Sequence, residues 1–503
     1  MKNYKYIGLL LLSIGVASCD VNNELDIIEA EAIPEVALNT NGLDFSTYVA
    51  IGASYTAGYT DGAMFKAAQE NSFPNILAGK FGTEFNQPLM NDNIGGLVYG
   101  GTAVQPPRFY FNGSGPERLS DMPTTELTTV LNGPFHNFGA PGAKSFHLGF
   151  PGYGALNPYF GRMASSPSAT VMGDALATNP TFFSLEIGSN DILGYALSGG
   201  SGVDRSPNTA DNLNPVNYGG NDITNPNVFA SVFTGMVTAL TANGAKGVVA
   251  NVPYITDLAN FTTIPHNPIP LTAAAAGAVN AAYALYNGGI QQAFDYLVAV
   301  SPMTQEMADA EIAKRTISFA AGGNAVVIMD EDLTDLTAIN PGLISMRQAT
   351  ADDLLVLASS AIIGTLADPS NPLSVNGVGV PLADQWVLTP QEQTSIMTAT
   401  DAYNTTIAAV ASSNPNIVLV DLKGVLTEAS SGIQFDGYTM TTSLVTGGLV
   451  SLDGVHLTAR GYALMANKIL AAMDAGFGSN FTTATNGLAK AGDYPTNYSA
   501  MLK

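Results

Sequence analysis

Two short segments near opposite ends of the chain contain residue types that could together break an acyl bond. The first reads Gly-Ala-Ser-Tyr at positions 52–55, and the second reads Asp-Gly-Val-His at positions 453–456. A serine becomes a nucleophile when a histidine removes its hydroxyl proton, and an aspartate can orient that histidine through one ring N–H. Ser54, His456 and Asp453 are therefore candidates for nucleophile, general base and orienting acid. A helix cap or a plain turn is the alternative for each segment taken alone.

Two intervening segments could stabilise the negative charge that develops on a reacting carbonyl oxygen. They read Asn-Phe-Gly-Ala-Pro-Gly at positions 137–142 and Gly-Ser-Asn-Asp at positions 188–191. A glycine in a turn can point its backbone N–H into a cleft, and an asparagine can offer its side-chain amide to an oxyanion. Gly142 and Asn190 are the candidate donors, with Gly139 as the second choice for the glycine. Ordinary turns are again the alternative.

Short apolar runs in front of these segments predict β-strands. The predicted strands are Thr47–Ala53, Phe135–Phe138, Thr181–Ile187, Gly247–Val252 and Ile417–Leu422. Helical patterns separate them, and a helix predicted at Ala459–Ala475, capped by Thr458, closes the domain. Strands that alternate with helices indicate an α/β domain with a parallel sheet covered by helices on both faces. Ligands bind such sheets at the carboxyl ends of the strands, where the candidate residues would then lie.

Taken in this order, the four segments resemble the SGNH hydrolase family, whose members are also called GDSL lipases or esterases. The resemblance covers residues 45–475, although the matched motifs occupy only a small part of that range. It implies a flavodoxin-like three-layer α/β/α fold with large insertions and no metal or organic cofactor. It further implies that Ser54, His456 and Asp453 form a catalytic triad that hydrolyses carboxylic esters. The backbone N–H groups of Ser54 and Gly142 and the amide of Asn190 would form the oxyanion hole.

The chain departs from the family pattern beside two of these residues. Ala53 replaces the aspartate of Gly-Asp-Ser-Leu, and Leu457 replaces the proline that often follows the histidine. The Ala-Arg-Gly-Tyr run at 459–462 is retained. The resemblance suggests lipid esters or acylated carbohydrates as substrates. The alternative function is a non-catalytic surface lipoprotein that binds glycan or lipid on a hydrolase scaffold.

The amino-acid composition and net charge of the chain limit which kinds of molecule it can bind. The chain has 503 residues, of which 46% are hydrophobic, and this is ample for a buried core. Its formal net charge of −23 would repel phosphate backbones, so nucleic acid is excluded as a partner. An acidic run at 330–332, followed by Asp335, raises a third interpretation, a calcium-dependent adhesin. A solvated loop is the simpler interpretation of that run.

The N-terminus is typical of an exported lipoprotein. Lys2 and Lys5 precede an apolar run at Ile7–Val16 that is too short to span a bilayer. Val-Ala-Ser-Cys follows at 16–19, and Cys19 is the only cysteine of the chain. This pattern resembles a bacterial lipoprotein signal, in which the cysteine is lipidated and anchors the chain in a membrane, here the outer membrane. An ordinary signal peptide with a chance cysteine is the alternative.

The boundaries of the other segments of the chain are predicted from their amino-acid composition. Residues 1–19 form the signal, and residues 20–44 form an acidic tether whose Asp20, Glu24 and Asp26 resemble surface-export tags. The hydrolase domain extends over 45–475 and is followed by a polar C-terminal tail at 476–503. Three long segments interrupt it, and such insertions commonly form the walls and lid of a substrate pocket. These insertions lie at 82–133, 193–228 and 257–415.

Overall fold

A five-stranded parallel sheet lies at the centre of the protein. The computed structural model describes residues 35–503. The strands are β1 (Tyr48–Gly52), β2 (Asn137–Gly139), β3 (Phe182–Glu186), β4 (Lys246–Ala250) and β5 (Ile417–Val420). Their order across the sheet is β5-β4-β3-β1-β2, and every neighbouring pair is parallel. The predicted α/β class and parallel sheet are confirmed, and each predicted strand agrees with an observed one to within two residues.

The strands are buried on both faces because helices cover both. Every residue of β1 and β3 is buried, as the near-continuous apolar runs of a fully covered parallel sheet require. The helices that carry most of the packing are α1 (Ser54–Ala57), α2 (Phe73–Phe81), α3 (Val171–Ala177), α4 (Asn190–Leu197), α5 (Pro226–Thr241), α6 (Ala273–Val300), α7 (Gln305–Arg315), α8 (Pro390–Ser413), α9 (Leu422–Ser431) and α10 (Ala459–Phe477).

Two groups of helices form the outer layers. Helices α2 and α10 pack together, and the sheet face that carries Ser184, Val248 and Val420 lies against Met465 and Ile469 of α10. Helices α3, α5 and α8 form the second group, in which α5 contacts both of the others. The sheet is therefore enclosed between two helical layers.

The long segment at 257–415 contains a hydrophobic cluster of its own. Its buried members include Ile290 and Phe294 of α6, together with Ile328 and Leu336. Short antiparallel pairs border it: Ile269–Leu271 with Gly322–Asn324, Val327–Met329 with Met346–Gln348, and Leu354–Leu355 with Val387–Leu388. Trp386 packs against this cluster and also against the main core.

The other short elements lie outside the central sheet. The segment at 82–133 forms two antiparallel pairs, Leu97–Tyr99 with Thr102–Gln105 and Phe109–Phe111 with Pro116–Arg118, and Ile433–Phe435 pairs with Tyr438–Met440 near the C-terminus. The remaining short helices are Lys66–Glu70, Pro158–Gly161 and Ala259–Thr262. Within residues 35–503, none of the helices has the length and apolar character needed to cross a membrane.

The segment predicted as a polar tail is packed into the body of the domain. Phe481 is fully buried in the main core, and Tyr498 stacks edge-on against Phe65. Arg108 is also fully buried, and its guanidinium donates to the backbone carbonyls of Tyr498, Ser499 and Leu502. Helix α10 ends at Phe477, so the chain beyond it returns to the core as irregular structure. Cys19 and most of the predicted tether lie outside the described residues.

Candidate active site

Ser54 lies where the first strand of the sheet meets a helix. Strand β1 ends at Gly52, and Ser54 is the first residue of α1 and is buried. A Cβ at Gly52 would lie 2.1 Å from the carbonyl oxygen of Glu186, so only glycine lets the two strands approach here. The N–H groups of the first helical turn have no partner within the helix and can face a negative charge beside the serine.

Asp453 and His456 meet across a tight turn. The Nδ1 atom of His456 lies 2.8 Å from Oδ2 of Asp453. The same carboxylate accepts hydrogen bonds from the backbone N–H groups of Gly62, Val455 and His456. Burial alone would raise the pKa of Asp453, but the nearby imidazole and these hydrogen bonds lower it below its ordinary value.

The ionised Asp453 fixes the tautomer of His456. A carboxylate can only accept, so Nδ1 carries the proton and Nε2 is left with a lone pair. Two aromatic rings hold the imidazole in place, with centroid distances of 4.6 Å to Tyr59 and 5.6 Å to Tyr55. Thr458 caps α10 by accepting a hydrogen bond from the N–H of Gly461, as predicted, so the histidine directly precedes a fixed helix start.

The two candidate glycines have different surroundings. The N–H of Gly139 donates to Oδ1 of Asn137, and a Cβ at Gly139 would lie 2.3 Å from the backbone nitrogen of Ala57. Gly139 is therefore a packing residue between β2 and α1. Gly142 is exposed, has a φ of +79° and donates no hydrogen bond from its N–H within the described chain. The structure thus favours Gly142 over Gly139 as an N–H donor to a bound group.

Asn190 begins α4, close to the Gly142 turn. Its side-chain nitrogen donates to the carbonyl of Ala143 at 3.0 Å, and the second amide hydrogen is left for another acceptor. The neighbouring Asp191 is fully buried and accepts from both the N–H and the hydroxyl of Ser145. Asp191 thus ties the turn that contains Gly142 to the helix that contains Asn190. Sequence reasoning assigned Asp191 only to a turn, because nothing local in the chain points to Ser145.

One cavity brings three of the predicted residues together, whereas Asp453 and Gly142 do not line it. Ser54, Asn190 and His456 line it with Leu193, Ile255, Leu258 and Val455. Asp453 lies behind the imidazole, and Gly142 adjoins the residue that receives the Asn190 hydrogen bond. Within residues 35–503, no hydrogen bond joins Ser54 to His456. Catalytic hydrogen bonds are often long without substrate and tighten in the complex.

Glu186 is a site residue that sequence reasoning missed. It ends β3, lines the cavity of Ser54 and is 6% exposed. In the part of the chain that the structure describes, its Oε2 atom is buried without a hydrogen-bond partner, and burial raises the pKa of the carboxyl to about 7. The available signal was an acidic residue inside the apolar run Phe-Phe-Ser-Leu-Glu-Ile at 182–187.

A second, apolar cavity adjoins the first. The two share Tyr55, Glu186 and Leu258. The apolar cavity has a volume of about 50 Å³, and its other lining residues are Pro253, Leu422, Val425, Leu426, Leu449, Leu457, Gly461, Leu464 and Met465.

The predicted insertions contribute little to these walls. Among the described residues that line the two cavities, Leu193 and Leu258 are the only ones from the segments 82–133, 193–228 and 257–415. The expectation that the insertions form the pocket walls therefore holds only at their first residues. Most of 257–415 packs around its own hydrophobic cluster instead.

Comparison of the chain with protein-family models, curated proteins and solved structures finds no match.

Proposed function

We propose that this protein is a serine hydrolase of carboxylic esters, of the SGNH type. The observation that carries the proposal is the convergence of Ser54, Asn190 and His456, from three distant parts of the chain, on one cavity. An oriented imidazole beside a serine at a helix start is the arrangement that nucleophilic acyl transfer needs. The strand order also supports an SGNH-type three-layer fold, because 2-1-3-4-5 is a common order of doubly wound sheets.

The proposed reaction has two steps. Nε2 of His456 takes the hydroxyl proton while Oγ of Ser54 attacks the ester carbonyl carbon. The carbonyl oxygen becomes an oxyanion, which receives hydrogen bonds from the N–H groups of Ser54 and Gly142 and from the amide of Asn190. The tetrahedral intermediate expels the alcohol, which leaves with the proton from His456. A water molecule then attacks the acyl-enzyme with the same base and releases the acid.

The apolar cavity suggests which acyl groups fit. A space of roughly 10–15 Å³ accommodates one water molecule, which is about the size of a methylene group. The cavity of about 50 Å³ therefore accommodates about four such groups. We infer that the preferred esters carry a short apolar acyl chain whose tail lies against Val425, Leu426 and Leu464.

The test is hydrolysis of p-nitrophenyl acetate, butyrate, hexanoate and octanoate by the full-length protein and by Ser54→Ala. Ser46→Ala is the matched control, because Ser46 is exposed before β1 and far from both cavities. We expect activity in the wild type and in the control, and its loss in Ser54→Ala.

A fluorophosphonate probe tests the nucleophile without a substrate. It should modify the wild type at Ser54 and leave Ser54→Ala unmodified. A wild type that neither hydrolyses these esters nor reacts with the probe would point to the non-catalytic binding function instead.

We further propose that Cys19 is lipidated and holds the protein at the outer membrane of a bacterial cell. The sequence pattern around this sole cysteine supports the proposal. Metabolic labelling with a palmitate analogue should mark the wild type. The Cys19→Ser variant should remain unlabelled and leave the membrane fraction, and labelling of that variant would contradict the assignment.

A further inference from the structure

Three carboxylates outside the candidate active site converge on one point. Glu331, Asp384 and Glu392 each place one carboxylate oxygen within 4.8 Å of the others. Glu331 is exposed on the connection between Val327–Met329 and Met346–Gln348. Asp384 begins a short 3-10 turn, and Glu392 lies in the first turn of α8. The cluster therefore joins residues from three separate parts of the chain.

Only one of the two carboxylate oxygens of Glu392 has a hydrogen-bonding role in the described structure. Its Oε2 accepts from the N–H and the hydroxyl of Thr389, which completes the capping box of α8. Its Oε1 is buried and has no hydrogen-bond partner among residues 35–503, and the residue is only 4% exposed. A buried carboxylate oxygen without a partner is strongly unfavourable unless a proton or a cation meets it. The cap requires one oxygen, so the second is available to a ligand.

The described residues provide no cationic side chain for the cluster. None of the three carboxylates takes part in a salt bridge within residues 35–503. Arg347, which lies beside this acidic run, is bound to Asp330 and Asp353. Three acceptor groups in mutual contact thus face one another without a positive charge between them.

We propose that Glu331, Asp384 and Glu392 bind a divalent cation with a preference for oxygen ligands, namely calcium. Calcium takes carboxylate oxygens at about 2.3–2.6 Å, so two ligands on opposite sides of one ion are about 5 Å apart. The three carboxylate oxygens lie within 4.8 Å of one another, so one such ion can contact all of them. The cluster contains neither histidine nor cysteine, which disfavours zinc and copper. Glu331, being exposed, lies at the solvent side of the site and gives the ion a route of entry.

The ion would hold together three stretches of the 257–415 segment, beneath the loop that follows the helix beginning with Asn190. The loop after α4 passes directly over the cluster: a Cβ at Gly200 would lie 1.7 Å from Oε1 of Glu392, and one at Gly199 would lie 2.1 Å from the carbonyl oxygen of Asp384. Glycine at both positions permits this close approach. The ion site is independent of ester hydrolysis, because none of the three carboxylates lines the cavity of Ser54 or the apolar cavity.

Terbium luminescence tests the site directly. Trp386, the only tryptophan of the chain, lies two residues from Asp384, so its excitation should sensitise a Tb³⁺ ion bound there. With full-length protein treated with EDTA and then dialysed, we expect sensitised emission that saturates at about one Tb³⁺ per chain. Excess Ca²⁺ should abolish it.

Two variants make the test specific. Glu331→Gln replaces a charged, exposed ligand with a neutral amide and should weaken Tb³⁺ and Ca²⁺ binding by at least about tenfold, because affinity depends on the number of charged ligands. Asp335→Asn removes a charge from the same acidic region, but Asp335 accepts from Thr337 and is not one of the three clustered carboxylates, so binding should be unchanged. Calcium should raise the unfolding temperature of the wild type and of Asp335→Asn more than that of Glu331→Gln. Absence of sensitised emission in the wild type, or equal binding by Glu331→Gln, would overturn the proposal.

Discussion

Burial of Glu186 should make the stability of the protein depend on pH in a defined window. The carboxyl has an ordinary pKa of 4.5, and burial raises it to about 7 in the folded protein. The folded state therefore binds a proton more tightly than the unfolded chain. The contribution of this carboxyl to the free energy of unfolding is fully present below about pH 4.5 and is lost as the pH rises to about 7. Replacing Glu186 with glutamine should remove this dependence.

The magnitude follows from the two pKa values. Raising the pKa from 4.5 to about 7 corresponds, at about 1.4 kcal/mol per pKa unit, to about 3 kcal/mol. The wild type should therefore lose about 3 kcal/mol relative to Glu186→Gln between about pH 4.5 and about pH 8. The new amide can carry a penalty of its own, but that penalty is constant with pH. Other titrating groups are common to both proteins and cancel in the difference.

Urea unfolding of the two proteins in parallel, at several pH values across this window, measures that difference. Glu70→Gln is the matched control, since Glu70 is exposed at the end of a short helix and its replacement should leave the wild-type profile unchanged. Infrared difference spectra should show the protonated carboxyl of Glu186 disappearing near pH 7. A wild-type and variant pair with parallel profiles across the whole window would refute the reasoning, because it would show that Glu186 is solvated or paired.

Three further predictions concern the site and its support. Asn190→Ala should lower kcat for a confirmed ester by about 10²–10³-fold through loss of an oxyanion donor, and an unchanged rate would contradict that assignment. Val425→Phe should fill part of the apolar cavity. Because each buried methylene contributes about 0.8 kcal/mol, kcat/KM for the hexanoate ester should fall about fourfold for each methylene that is excluded, and kcat/KM for the acetate ester should be unaffected. Arg108→Ala should destabilise the protein by roughly 3 kcal/mol, because three backbone carbonyls of the C-terminal segment lose a charged donor. Limited proteolysis of Arg108→Ala should release fragments from 476–503 earlier than in the wild type, and equal cleavage would show that the segment is held by other contacts.

The candidate triad could be assigned from the sequence because its signals are local. Asp453 and His456 lie three residues apart, so one turn brings their side chains together at 2.8 Å. Ser54 and Asn190 follow apolar runs that become neighbouring strands, β1 and β3. The parallel sheet then places both at the same edge. Pattern and spacing thus anticipated the strands and three of the residues that meet in the cavity.

The remaining features depend on contacts between residues far apart in the chain. Glu186 has an unusual pKa only because α10 and the strands around it exclude water. Asp191 acquires its role from Ser145, and the calcium site that we propose requires Glu331 and Glu392 to converge. The composition of 476–503 predicted a polar tail, whereas in the structure Arg108 and the main core bind this segment. By itself the sequence determined the strands and their class, since these follow from local periodicity, and the order of its motifs indicated the candidate nucleophile. Only the tertiary structure decided which polar groups are buried and which of them meet, because that depends on how distant elements pack.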